Sequence, residues 1–392
     1  MKILVLTNYF TPDYSAGSFR MQALLEAAHR HNDQNIEIDI FTTFPNRYGN
    51  KDKNLQSLEI QNNVKINRIQ VPNHQGKMIL QSIAYSVFFF KVLKQTKKEN
   101  YDLVFATSSR LFTAFLGALI ARRNNSVLYL DIRDLFTDTI KDLFTWWVNL
   151  PLLPVLKSIE AWTLRSADAV NVVSPGFICH VETIAKRPRI SVITNGIDEE
   201  FLVNREQDIR TKGSKIKILY AGNVGDGQGL ENVVPKAAKE LEDIASFKII
   251  GAGSRLSALQ QGLRDAECSN VEIIGPMDRN KLILEYERAD VLFLHLNDLP
   301  AFLKVLPSKI FEYASTRKPI VAGVAGCAKD LLETEIIGSF VFKPNDVNKL
   351  TKIIRSLSDG TNEFDRQEFK CRYSRTRLMD NLFSTILNAE KR

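Results

Sequence analysis

In PSKIFEY (307–313), Lys309 and Glu312 lie three residues apart behind Pro307 and Ser308, which read as a helix start, so both side chains leave one face of the first turns. That face suits a ligand carrying a phosphate and a diol. A helix amino terminus and an ammonium attract phosphate, and a carboxylate accepts two hydrogen bonds from vicinal hydroxyls. The same spacing also describes an exposed ion pair with no chemistry to do. YAGNVGDGQGL (220–230) sets Gly222, Gly225, Gly227 and Gly229 after a strand pattern and before a helical one. Missing side chains there let backbone N–H groups reach phosphate oxygens. The spacing is not G-x-G-x-x-G, so no dinucleotide fingerprint is met, and a flexible turn reads equally well. IIGAGSR (249–255), which holds Gly253, and IIGPMD (273–278), which holds Met277, are further strand ends turning on glycine.

DIRDLF (131–136) closes a strand pattern with Asp131 and Asp134 flanking Arg133. Such a cluster can steer an anion or take a hydroxyl proton, or it can brace the loop as an Asp–Arg pair. There is no D-x-D to hold Mg²⁺ against a diphosphate, and the five histidines form no cluster; His29 and His31 stand two apart and point apart on a helix. No metal is expected. Cys179, Cys268, Cys327 and Cys371 are scattered without a C-x-x-C pair, which argues against zinc and against a disulfide framework and points to a reducing cytosol.

The elements that must carry these groups alternate. KILVL opens the chain as a strand, followed by a loop with Pro12 and Gly17 and a helical pattern that Ser18 would cap. Apolar runs recur at 37–41, 64–71, 102–106, 127–132, 169–173 and 190–194, most separated by helix-length stretches. The polar stretch NREQDIRTKGS (204–214) marks a boundary, after which KIKILYAGN repeats the strand-to-glycine logic and further runs follow at 247–250, 271–274, 291–296, 319–322 and 340–342. The expectation is α/β: two Rossmann-like doubly wound parallel sheets, with a ligand cleft at the strands' carboxyl ends.

The 392 residues suit two such domains, and 44% hydrophobic with 25% charged residues excludes a disordered or collagen-like chain. A net charge of +7 suits an anionic partner without naming it. No run is apolar enough for a signal peptide or a spanning helix. Met78 to Phe90, which leads into KVLKQTKK, and LFTWWVNLPLLPVLK (143–157), with Trp146 and Trp147, join aromatic and aliphatic bulk to lysines. That pattern fits a membrane interface and core packing equally.

The R-D-L of DIRDLF, SPGF (174–177), TNGID (194–198), YAGNVGDGQGL and PSKIFEY follow one another in that order along the chain. With them the chain resembles, nearly end to end, the retaining family 4 nucleotide-sugar glycosyltransferases of the GT-B fold, and within them the bacterial branch that builds O-antigen and capsule repeat units. The resemblance implies an acceptor-binding domain over residues 1–203, a donor-binding domain over 204–372 and a last helix, 373–392, crossing back to the first domain. It implies sugar transfer with retention, without metal or cofactor, from a nucleoside diphosphate sugar, UDP by branch, to a lipid-linked saccharide. Nucleic acid is not an implied partner. The implied place is the cytoplasm, peripheral on the inner face of the plasma membrane.

Carried over residue by residue, Glu312 matches the second glutamate of the family's E-x7-E and would bind the ribose hydroxyls, while Lys304 stands where the first glutamate is expected. Asn223 and Gln228 replace the family's diphosphate-gripping arginine and lysine, which leaves Lys309 as the candidate cation. Gly17 would offer backbone approach from a first-domain loop. Gly222, Asn223, Gly225, Gly253 and Ser308 would line the donor, with Met277 near the base. Arg133 and Asp134 occupy the place where many relatives carry His-Asp and are the catalytic candidates. A sugar-nucleotide epimerase of the same fold, or a non-catalytic sugar-nucleotide-binding protein, are the competing readings.

Overall fold

The computed structural model describes residues 1–13, 15–31, 33, 35–45, 55–72, 78–108, 111–135, 137–138, 146–203, 214–358 and 363–391, with the side chains of 78, 79 and 146–151 excepted. Contacts divide the chain into two compact units, Met1–Asn195 with Arg375–Arg392, and Gly196–Ser374.

The first unit runs β1 (Lys2–Leu6), α1 (Ala16–His31), β2 (Glu37–Thr43), β3 (Leu58–Gln61), β4 (Val64–Ile69), α2 (Met78–Gln95), β5 (Leu103–Thr107), α3 (Leu111–Asn124), β6 (Val127–Ile132), α4 (Trp146–Arg165), β7 (Ala169–Val172), α5 (Ile178–Ile184) and β8 (Arg189–Val192). Its sheet has the order β3-β4-β2-β1-β5-β6-β7-β8, parallel except for the β3–β4 pair. Every residue of LVFAT in β5 is buried, as a strand covered on both faces requires.

The helix α1 starts two residues before the expected cap. Ser15 is the cap instead, its Oγ accepting the Ser18 N–H at 3.1 Å. Gly17 consequently sits in the first turn of the helix rather than in a loop.

The second unit runs α6 (Glu199–Leu202), β9 (Ile216–Ala221), α7 (Leu230–Glu240), β10 (Ala245–Ile250), α8 (Leu256–Asp265), β11 (Val271–Ile274), α9 (Arg279–Arg288), β12 (Val291–His295), α10 (Ser308–Ala314), β13 (Ile320–Gly323), α11 (Cys327–Glu335), β14 (Ser339–Phe342), α12 (Val347–Ser356) and α13 (Gln367–Arg372). Its sheet is parallel throughout, in the order β11-β10-β9-β12-β13-β14.

Most of the polar stretch taken as the boundary, residues 204–213, lies outside the described residues, and the division falls earlier, at Asn195/Gly196. The cause is packing: Ile197 bridges Ser374 and Phe201 stacks on Tyr286, which ties 196–202 to the second unit. The last helix, α14 (Arg375–Leu387), belongs to the first unit, where Met379, Leu382, Phe383 and Ile386 join Met21, Leu24 and Leu25 of α1 in one apolar cluster.

Candidate functional site

In the second sheet β9 connects onward to one side and β12 to the other, so a crevice opens outside their carboxyl ends. Two connections meet there, 222–229 after β9 and 296–307 after β12. The Asn297 N–H donates to the Gly227 carbonyl at 2.8 Å, and the Asn297 amide donates to the Asp226 carbonyl at 3.1 Å. The glycines first serve close packing: a Cβ on Gly251 would collide with the Gly222 carbonyl and one on Gly253 with the Val224 carbonyl. Bonds from Gly222 N–H to Ile250 O at 2.9 Å and from Val224 N–H to Ala252 O at 3.0 Å then join the β9 and β10 loops.

Asn223 is exposed, and its side-chain amide donates to the Gln228 side-chain oxygen at 3.0 Å, so the two amides brace each other across the turn. The N–H groups of Asn223, Asp226 and Gly227 donate to no described residue.

Lys309 and Glu312 meet as their spacing predicts. Lys309 Nζ donates to Glu312 Oε2 at 2.6 Å and to the Tyr286 hydroxyl at 3.1 Å, and that hydroxyl donates to the same Oε2 at 2.9 Å. Their side chains are 23% and 13% exposed, so this is no solvent-bathed surface pair. Among the described residues nothing donates to Oε1, which leaves one carboxylate oxygen with both lone pairs unspent.

Burial pushes the Glu312 carboxyl up, but the Lys309 and Arg279 charges and the Tyr286 hydroxyl together hold it below the usual carboxylate value. Burial, then the Glu312 charge, raises Tyr286 well above an ordinary phenol. Arg279 is itself fixed by Asp198 of TNGID, and by Glu200 at 3.3 Å, and lies over the Phe201 ring. Ser308 opens α10 half-buried, and Met277 packs half-buried against the second unit's core.

In the first unit the acidic cluster is arranged differently from the expectation. Asp131 pairs with Arg20, not with Arg133: Arg20 Nε and Nη2 each meet one Asp131 oxygen at 3.0 Å, both side chains fully buried. Arg20 also donates to the Thr194 and Ile193 carbonyls at 2.5 and 3.0 Å, and Asn171 donates to Asp131 Oδ1 at 2.7 Å. The group is closed to ligands because each carboxylate oxygen is taken.

Arg133 lies against the backbone of α1. A Cβ on Gly17 would come 2.6 Å from Nη1, and the buried Nε has no hydrogen-bond partner among the described residues. Burial and the neighbouring Arg20 push its pKa down to about 10, with Asp131 and Asp134 opposing, so it stays charged at neutral pH. Asp134 is exposed, and Phe136 of the same motif lies outside the described residues.

The structure thus brings Gly17 to Arg133, Lys309 to Glu312, and Gly222, Asn223, Gly225 and Gly253 into joined loops. Sequence reasoning missed Arg20, Asn171, Arg279, Tyr286 and His295. Among the described residues no group of three or more His, Cys, Asp or Glu side chains could hold a metal ion.

Two parallel α/β units of this kind define the GT-B fold, and solved structures share it. The chain is similar over its full length to HepE of Anabaena in a complex with UDP-glucose (TM-score 0.68, 15% identity, 100% of each chain). It is similar to the lipopolysaccharide outer core galactosyltransferase WaaB in its apo form (TM-score 0.65, 12% identity, 99% of each chain).

Residues 22–201 match the family model described as Glycosyltransferase Family 4, and residues 204–370 the one described as Glycosyl transferases group 1. A probable glycosyltransferase of Pseudomonas aeruginosa, WbjE, is 21% identical over 299 residues, 73% of this chain and 74% of that protein. The chain is a glycosyltransferase of the GT-B fold.

Proposed function

We propose that the chain moves a sugar from UDP to a lipid-linked saccharide, with retention and without a metal, as a step in building a surface polysaccharide. The observation that carries this is the Glu312 carboxylate, kept ionised beside Lys309 with Oε1 unspent, which suits the two hydroxyls of a ribose. UDP-glucose bound to HepE and the lipopolysaccharide role of WaaB support the donor and product classes. The first unit, Met1–Asn195 with Arg375–Arg392, would serve the acceptor and the second, Gly196–Ser374, the donor.

The loops holding Gly222, Asn223, Gly225 and Gly253, with Ser308 and Lys309, would face the sugar diphosphate, and Met277 the base. Gly17 offers backbone from the first unit, and Arg133 and Asp134 are the proposed catalytic pair. The acceptor oxygen would bond to the anomeric carbon on the side from which the bond to phosphate breaks, and the departing diphosphate would take the acceptor's proton. The protein's share is positioning and charge stabilisation.

The membrane part rests on α2 and α4, which flank α3: Phe89 stacks on Phe115, and Phe115 meets Trp162 edge-on. Their outer faces expose Ile83, Phe90, Leu152 and Val155 beside Lys91, Lys94 and Lys157. No described helix is long and apolar enough to cross a membrane. A cytoplasmic chain lying on the inner leaflet fits both.

A panel of UDP- and GDP-sugars offered with and without polyprenyl-linked saccharide acceptors tests the reading, with products weighed by mass spectrometry and the new anomeric centre read by NMR. Free UDP and an elongated acceptor are expected, unchanged by EDTA. An epimerised sugar nucleotide formed without acceptor overturns the reading, and so does activity that EDTA abolishes and Mg²⁺ restores.

A further inference from the structure

Three connections of the second unit converge on one buried imidazole. His295 ends β12 with no exposed surface. Its Nδ1 lies 2.6 Å from the backbone oxygen of Gln228 in the glycine loop, and its Nε2 lies 3.1 Å from the backbone N–H of Asn345 in the connection from β14 to α12.

A carbonyl can only accept and an amide N–H can only donate, so the ring must carry its proton on Nδ1 and be neutral. Burial pushes its pKa below the usual value, against the Gln228 carbonyl and the Glu231 charge, which keeps it in that form at neutral pH. Phe293 and Phe342 flank the ring at 6.3 and 6.1 Å between centroids, and Gly323 leaves room for its Cδ2 edge. The rotamer is fixed on every side.

The Gln228 carbonyl is where the glycine loop is held from below. Above it the Gln228 side chain accepts from Asn223 and from the Gly225 N–H, so backbone and side chain of one residue both brace the loop, beside the Asn297 bonds to Asp226 and Gly227. That loop leaves the N–H groups of Asn223, Asp226 and Gly227 without described acceptors, and it carries no Lys or Arg. What this loop offers an anion is its backbone dipoles, and their effect depends on orientation, because the loop carries no cation of its own that could follow a displaced turn.

We propose that His295 is a positioning residue for donor binding: its Nδ1–H bond to the Gln228 carbonyl holds the 222–229 loop in the shape that presents its N–H groups to the donor's diphosphate. This rests on the proposed function, since it takes the ligand to be a nucleoside diphosphate.

Two substitutions divide the imidazole's two bonds. Asn carries its amide nitrogen at the chain length of Nδ1, so His295→Asn keeps a donor for Gln228. Gln carries its amide at the length of Nε2, so His295→Gln keeps an acceptor for Asn345 and loses the Gln228 bond. Calorimetry with UDP and with uridine, run beside melting curves, should show UDP binding about tenfold weaker in His295→Gln and within about threefold of wild type in His295→Asn, with uridine affinity the same in all three. Equal UDP affinity in wild type and His295→Gln overturns the inference, and so does parallel loss of UDP and uridine affinity.

A nitrogen-edited NMR spectrum of the wild-type chain gives a second check that needs no variant: the Nδ1–H tautomer is expected with and without UDP, and the Nε2–H tautomer overturns the inference. A wild-type chain that binds no nucleoside diphosphate defeats the proposed function itself, a result distinct from wild-type binding that His295→Gln leaves unchanged.

Discussion

The two units each hold an acid–base pair near the carboxyl ends of their strands, and they use it in opposite ways. In the first unit Asp131 has both oxygens on Arg20 and a further bond from Asn171, with no exposed surface. In the second, Glu312 receives Lys309 and Tyr286 on one oxygen, keeps the other, and remains partly exposed. A fully saturated pair holds a fold together because nothing further can bind it. A half-saturated, partly exposed pair keeps an acceptor that a ligand can take over from water, as the proposed ribose contact requires.

The largest effect should come from breaking the saturated pair. Removing one partner leaves the other charge buried and unpaired, at a cost of about 3–5 kcal/mol. Arg20→Ala should lose that much unfolding free energy in urea titration, and loss below 1 kcal/mol would erase the distinction between the pairs.

Glu312→Gln should act on binding more than on folding. Losing a charged acceptor for the ribose should weaken UDP by about 1.5–3 kcal/mol, with a smaller loss of stability at neutral pH from the missing charge. Unchanged UDP affinity in calorimetry would sink the ribose assignment.

The pair's pH dependence sharpens the contrast. Glu312 is held below the usual carboxylate value in the folded chain, so its contribution is present above the unfolded pKa and fades as pH falls through the folded one. The stability difference between wild type and Glu312→Gln should therefore be flat at neutral pH and shrink toward zero only on acidification. A difference that grows on acidification would contradict the assigned shift.

Much of this was readable beforehand, for a physical reason. Strands buried on both faces must be apolar throughout, so LVFAT and VLFLH stand out, and Lys309 and Glu312 were paired by helical spacing alone. The edge strand β3, LEIQ, escaped because only one of its four residues is even half-buried. Arg20 escaped because a charge pointing inward is chosen by its partner 111 residues away. Its signal was a place on the stripe of Gly17, Met21 and Leu24, where an arginine is out of pattern. His295 carried a like signal at the end of an otherwise apolar strand. Tyr286 and Arg279 reach Glu312 through tertiary packing, which no local period encodes.

The smallest expected effect concerns charges that the first unit leaves on its surface. Phe90 is 67% exposed and Val155 57%, so the outer faces of α2 and α4 carry apolar bulk that the core does not use. If these faces meet the membrane, Phe90→Ser with Val155→Ser should reduce flotation with anionic vesicles, because apolar area no longer enters the interface. The melting temperature should stay near wild type, since exposed side chains contribute little to packing. Each neighbouring lysine adds about 1 kcal/mol toward anionic lipid, an attraction that salt screens, so raised salt should release part of the wild type and more of the double variant. A variant that floats like wild type would place the contact elsewhere on the unit, and a wild type that never floats would remove the membrane from the reading while leaving the donor site untouched.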